Sequence, residues 1–135
     1  MRSKDIRYKQ RFENFEKSFL LLQQALEIPE PSIVEEAGSI QFFEITFELA
    51  WKVMKDYLEY EGYEIKSPRN AIKQAFSVGL LEDGERWLEA LGDRNLTVHT
   101  YDETRAKIVY ERIKRDYFPL LQAFYRKCKE EICTD

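Results

Sequence analysis

Tyr8, Phe12, Phe15, Phe19, Leu22 and Leu26 recur at alternating steps of four and three. That spacing lays six bulky apolar side chains along one face of an α-helix, with polar residues filling the other face. Ile40, Phe43, Phe47, Ala50, Met54 and Tyr57 repeat the rhythm, and Trp51 and Leu58 widen the stripe. Two such seams cannot both face water. They confine the chain to helices packed side by side.

The breaks between helices are written in proline, glycine and capping residues. "IPEPS" (28–32) ends the first helix, because proline neither donates a backbone hydrogen bond nor tolerates the helix before it. The second runs from about Ile33 to Glu61 and stops at Gly62. Ser67 as N-cap and Pro68 as first residue start a third, shorter helix that ends near Gly79. A turn at "EDG" leads to a fourth with Trp87 and Leu91 on its apolar side. Thr100 and Glu103 form a T-x-x-E capping box that starts a fifth at Tyr101, with Ala106, Val109, Tyr110 and Ile113 inward. "RDYFP" is expected to interrupt it, and Asp116 to cap a last segment whose Leu120, Leu121, Phe124 and Cys128 face the core.

No run of strand-like alternation and no repeat competes with this reading. The expectation is a single all-α domain over residues 1–135. It is an up-and-down antiparallel helical bundle of four main helices plus short ones. Seventeen Phe and Tyr residues are many for 135 positions. They leave apolar surface for a partner, and a homodimer is the expected use.

Several functions are excluded or disfavoured. The net charge is −4, so the chain is not a polycation for bulk nucleic-acid binding. Basic residues cluster locally at Arg2, Lys4, Arg7, Lys9 and Arg11, and again at Arg105, Lys107, Arg112, Lys114 and Arg115; solvated helix faces are the plain reading of both. The N-terminus has no apolar leader and no stretch is long enough to span a bilayer, so a cytoplasmic protein without membrane contact is expected. Cys128 and Cys133 sit about 140° apart on an ideal α-helix, which suits neither a disulfide nor a shared metal. With one histidine, no metal site and no cofactor are expected. There is no nucleophile at triad spacing, no glycine-rich phosphate loop and no HExxH.

One position breaks the pattern. Trp87, Leu91, position 94 and Val98 continue the four-three seam, yet position 94 is arginine. A guanidinium on an apolar stripe is costly unless it is paired or meets solvent or ligand. Asn95 and His99, the only histidine, lie four apart and share a face if the helix extends that far. Tyr101 follows just past the join. The plain structural reading is a linker histidine, a surface asparagine, and an arginine satisfied by Asp93, Asp102 or a carbonyl. The chemical reading is that Arg94, Asn95, His99 and Tyr101 meet at one end of the fourth helix, where arginine and histidine without a metal suit phosphodiester chemistry on RNA. Histidine moves a proton to or from a 2′-hydroxyl or leaving oxygen near neutral pH, and arginine forks onto phosphate oxygens. A symmetric dimer brings two histidines into a shared cleft, which suits paired acid and base roles.

"RNLTVHTY" resembles a known signature. Arg94 to His99 matches the Arg-x4-6-His motif of the HEPN superfamily, and Tyr101 completes the narrower Arg-x4-His-x-Tyr form of the HepT-like proteins, also described as nucleotidyltransferase substrate-binding proteins. The flanking "WLEALGD" and "TYDE", and the chain length, extend the resemblance over nearly the whole chain. It implies a homodimeric helical bundle that is a metal-independent endoribonuclease toxin. Arg94 and His99 would cleave RNA and Asn95 would support the phosphate or the arginine. The implied partner is a small, separately encoded nucleotidyltransferase antitoxin, which silences the toxin by AMPylation of Tyr101. A non-catalytic module that presents a substrate or nucleotide to such an enzyme is the alternative.

Overall fold

The computed structural model describes residues 3–97 and 103–133. Its elements are α1 (Ser3–Leu26), α2 (Ile33–Tyr60), α3 (Pro68–Ser77), α4 (Gly84–Thr97), α5 (Glu103–Arg112) and α6 (Phe118–Lys127). No strand occurs among the described residues. The chain is an all-α helical bundle, as the seams require.

α1 and α2 pair antiparallel along their lengths. Tyr8 meets Tyr57 and Tyr60 at one end, Arg11 bonds the buried Asp56 at 3.1 Å, and Ser18 and Thr46 share a buried hydrogen bond further along. All six residues of the first seam are buried. So are Ile40, Phe43, Phe47, Ala50 and Met54 of the second, whereas Tyr57 is half-buried because its hydroxyl reaches Glu61. α6 lies antiparallel against α1. Phe19 stacks on Phe118, Phe12 on Tyr125, and Phe15 packs on Phe124. The abundant rings thus close the core between α1 and α6.

The local signals act as their chemistry requires. Ser32 and Glu35 make a reciprocal capping box at the start of α2. Ser67 caps α3 with Pro68 behind it. Gly62 (φ 101°) and Gly79 (φ 86°) end α2 and α3 in left-handed turns. In each, the next amide reaches back to a carbonyl in the last turn, Tyr63 to Leu58 and Leu80 to Ala75, both at 2.9 Å. Only glycine takes such a conformation without strain. Asp83 starts α4 by accepting from the Arg86 amide at 3.1 Å. The proposed Thr100 cap lies outside the described residues.

Two expectations need correction. "RDYFP" does not interrupt the last helix. Residues Ile113–Tyr117 form a π-helical turn that joins α5 to α6 with right-handed helical backbone on both sides. Pro119 lacks the amide that an α-helix needs, and a wide turn passes the ring without a break. Asp116 is therefore no cap; it pairs with Arg115 at 3.0 Å and Arg86 at 3.6 Å. A second π turn, Cys128–Ile132, brings the Cys133 amide onto the Cys128 carbonyl at 2.7 Å. The 140° separation assumed a plain α-helix. In the wider turn the two free thiols meet through a hydrogen bond. Burial, and then that bond, push the Cys128 thiol up.

Candidate functional site

α4 carries the beginning of the motif and places consecutive residues on opposite sides. Asp93 points toward α5 and the π turn. There it accepts from the Tyr117 hydroxyl and from Arg112 Nη1, the latter at 3.1 and 3.3 Å to its two oxygens. Arg94 points the other way, toward α2. Its Nη2 bonds Glu48 Oε2 at 2.5 Å, and its Nη1 bonds Asn95 Oδ1 at 3.1 Å. Glu48, not Asp93, is thus the described carboxylate that holds the arginine on the apolar stripe.

Glu48 is held in turn. Its Oε2 also accepts from the Trp51 indole N–H at 2.9 Å, and Lys52 approaches Oε1 at 3.3 Å. Burial raises the carboxyl's pKa. The Trp51 bond, the Arg94 charge and Lys52 together outweigh that effect and leave it below its ordinary value. Glu48 is therefore charged at neutral pH. Side-chain exposure is 24% for Arg94 and 31% for Glu48, so the pair sits at the protein surface rather than in the core. A guanidinium there can take up an anion without the full cost of burying a charge.

Of the expected site residues, the structure brings Arg94 and Asn95 into contact. His99 and Tyr101 lie outside the described residues. Glu48 is absent from the expected site, and Trp51 figures in the sequence only as part of the apolar stripe. Their signals are faint: an acid three residues before a tryptophan and four before a lysine, on the flank of the Phe43–Phe47 seam. Asp93 was foreseen only as a possible partner of Arg94. It is instead buried and engaged with Tyr117 and Arg112.

The basic stretch 105–115 is not a bare cationic face. Arg112 bonds Asp93, Arg115 bonds Asp116, and Lys107 lies 3.8 Å from Glu36. The groove between α4 and the π turn brings Arg86, Arg112 and Arg115 together, but Glu89, Asp93 and Asp116 line it as well. Its charges balance, so it is a weak place for a phosphate chain. No group of three or more His, Cys, Asp or Glu suited to a metal occurs among the described residues. No described helix is long and apolar enough to cross a membrane.

The family model for nucleotidyltransferase substrate binding protein-like proteins matches residues 10–130. The chain belongs to this family. This HepT-like chain is 35% identical to a probable ribonuclease HepT from Haemophilus influenzae over 92 residues, 62% of the chain. It spans about 63% of that relative's length. Two solved structures share the bundle. One is a protein from Thermus thermophilus, 39% identical, with a TM-score of 0.77 over 85% of this chain and 99% of that one. The other is HI0074 from Haemophilus influenzae, described as revealing the fold of a substrate binding domain of a nucleotidyltransferase. It is 27% identical, with a TM-score of 0.72 over 86% and 97% of the two chains.

Proposed function

We propose that this chain is a metal-independent endoribonuclease toxin of the HEPN type, active as a homodimer and silenced by AMPylation of Tyr101. The observation that carries the reading is the Arg94 guanidinium, held at the protein surface by Glu48 and Asn95 at the head of an Arg-x4-His-x-Tyr motif. The 35% identity to a probable ribonuclease supports it.

In the proposed cleavage, Arg94 binds a non-bridging oxygen of the scissile phosphate and Asn95 orients the guanidinium. His99 of one subunit accepts the 2′-hydroxyl proton. The 2′-oxygen then attacks phosphorus to form a 2′,3′-cyclic phosphate, and the bond to the 5′-oxygen breaks. A protonated histidine, supplied by the second subunit, delivers a proton to that leaving oxygen. Charge gathers on the phosphate in the transition state, where a positioned arginine contributes most. In the silencing step, the partner nucleotidyltransferase directs the Tyr101 hydroxyl onto the α-phosphorus of ATP. AMP joins the oxygen, pyrophosphate leaves, and the phenol proton is lost. The nucleotide adds bulk and negative charge two residues from His99, which blocks RNA and repels its phosphates.

The test is RNA cleavage in EDTA by wild type and His99→Ala, with the subunit number read by sedimentation. Cleavage by a wild-type dimer, and none by the variant, is expected. Equal rates for the two remove the reading. A second reading, a non-catalytic subunit presenting a substrate to a nucleotidyltransferase, is favoured by the family description and by the likeness to HI0074. Binding of RNA or nucleotide without strand scission supports it.

A further inference from the structure

Glu48 is the part of the site that the motif does not contain, and its geometry is that of a clamp. Both of its oxygens are engaged from its own helix, one by the Trp51 indole N–H and the other by Lys52. The carboxylate therefore has little freedom to swing. The oxygen that holds the indole also receives Arg94 Nη2 from α4. A long, four-torsion side chain on α4 is thereby fixed to a rigid reference on α2, while Asn95 takes the other arm of the fork. An exposed arginine without such a clamp would sample many rotamers, and each would have to be given up when phosphate binds.

We infer that Glu48 is a positioning residue: it acts through Arg94, presenting the guanidinium to the scissile phosphate in one orientation. The inference rests on the endoribonuclease reading and adds a residue on another helix. It carries a sign that a plain charge effect lacks. A carboxylate beside a phosphate site repels the substrate, so its removal leaves RNA binding as tight or tighter. If Glu48 orients Arg94, the same removal slows the chemical step. Misplacement of a reacting group by an ångström is worth up to about 100-fold in rate.

The experiment measures kcat and KM for one RNA oligonucleotide with the full chain, comparing wild type, Glu48→Ala and Glu48→Gln. Glu48→Ala is expected to lower kcat about 10- to 100-fold with KM unchanged or lower. Glu48→Gln keeps an acceptor for both Trp51 and Arg94, and should recover most of kcat. Nitrogen-detected NMR of the Arg94 guanidinium reads the clamp without any activity. Its Nη signals should be resolved in wild type and averaged in Glu48→Ala. An active wild type whose Glu48→Ala variant keeps its kcat, or an Arg94 spectrum identical in the two proteins, overturns the inference. A wild type that cuts no RNA sinks the endoribonuclease reading instead, and the Arg94 spectrum still decides whether Glu48 holds the side chain.

Discussion

Asp93 and Arg94 are neighbours on α4, and each bonds a different helix, but their surroundings differ. Asp93 is 12% exposed at its side chain and is enclosed by Tyr117 and Arg112. Arg94 is 24% exposed and meets a carboxylate that is itself 31% exposed. The first is a buried acid that must be bonded to be tolerated at all. The second is an ion pair in reach of water, where such pairs add little stability. One helix therefore holds an enclosed acid against the π turn with one residue and a half-buried charge against α2, at the edge of the solvent, with the next.

The largest expected effect separates these roles. Arg94→Ala should reduce RNA cleavage by about 100- to 1,000-fold, as loss of a charge-stabilising donor does elsewhere. Its thermal midpoint should move little. Asp93→Ala should do the reverse. It leaves the Tyr117 hydroxyl and Arg112 without their acceptor and should cost about 1–3 kcal/mol in denaturant unfolding, with cleavage per folded molecule largely kept. A folded but inactive Asp93→Ala protein would erase the contrast. Tyr117→Phe removes one bond and leaves Asp93 paired with Arg112, so about 1 kcal/mol is expected by the same measurement. Asp83→Ala strips the cap from the helix that carries both residues and should cost about 1 kcal/mol. A similar loss in wild-type and Arg94→Ala backgrounds would confirm that the cap acts on the helix alone.

pH sharpens the contrast from two sides. Burial, and then the Asp93 bond, raise the Tyr117 phenol well above its ordinary value of 10.0. Its contribution to stability is complete below that value and is lost as pH rises toward the raised one. Glu48 is shifted down from 4.5. Its contribution is present above 4.5 and fades as pH falls through the lowered value. Thermal midpoints across pH should show Tyr117→Phe flattening part of the alkaline limb and Glu48→Gln part of the acid limb. Tyr57, pushed up to about 12, shares the alkaline limb, so Tyr117→Phe should not flatten that limb completely.

Much of the bundle was legible because seams and caps are local. A four-three rhythm depends only on helical geometry, so all six residues from Tyr8 to Leu26 are where spacing puts them. Arg94 was legible as an anomaly for the same reason. Its partner was not, because Glu48 lies forty-six positions away and that pairing follows from how α4 packs on α2. The π turn at Ile113–Tyr117 is not legible because Pro119 reads as a stop to an α-helix, and the one at Cys128–Ile132 carries no local signal at all. The false stop also misplaced Asp116, whose partners Arg86 and Arg115 became clear only once the helix ran through. The 140° angle between the cysteines fails with the same assumption about rise and rotation, although both thiols are free, as the spacing led one to expect.

The π turn at Ile113–Tyr117 also sets the phase of everything that follows. Excising one residue there would wind the rest of the chain back by about 100°, one residue's rotation in an α-helix. Phe124 would swing off the Phe15 ring of α1, and Lys129 would lose sight of Glu16. The widened loop of backbone is thus a spacer that α6 depends on to arrive facing inward.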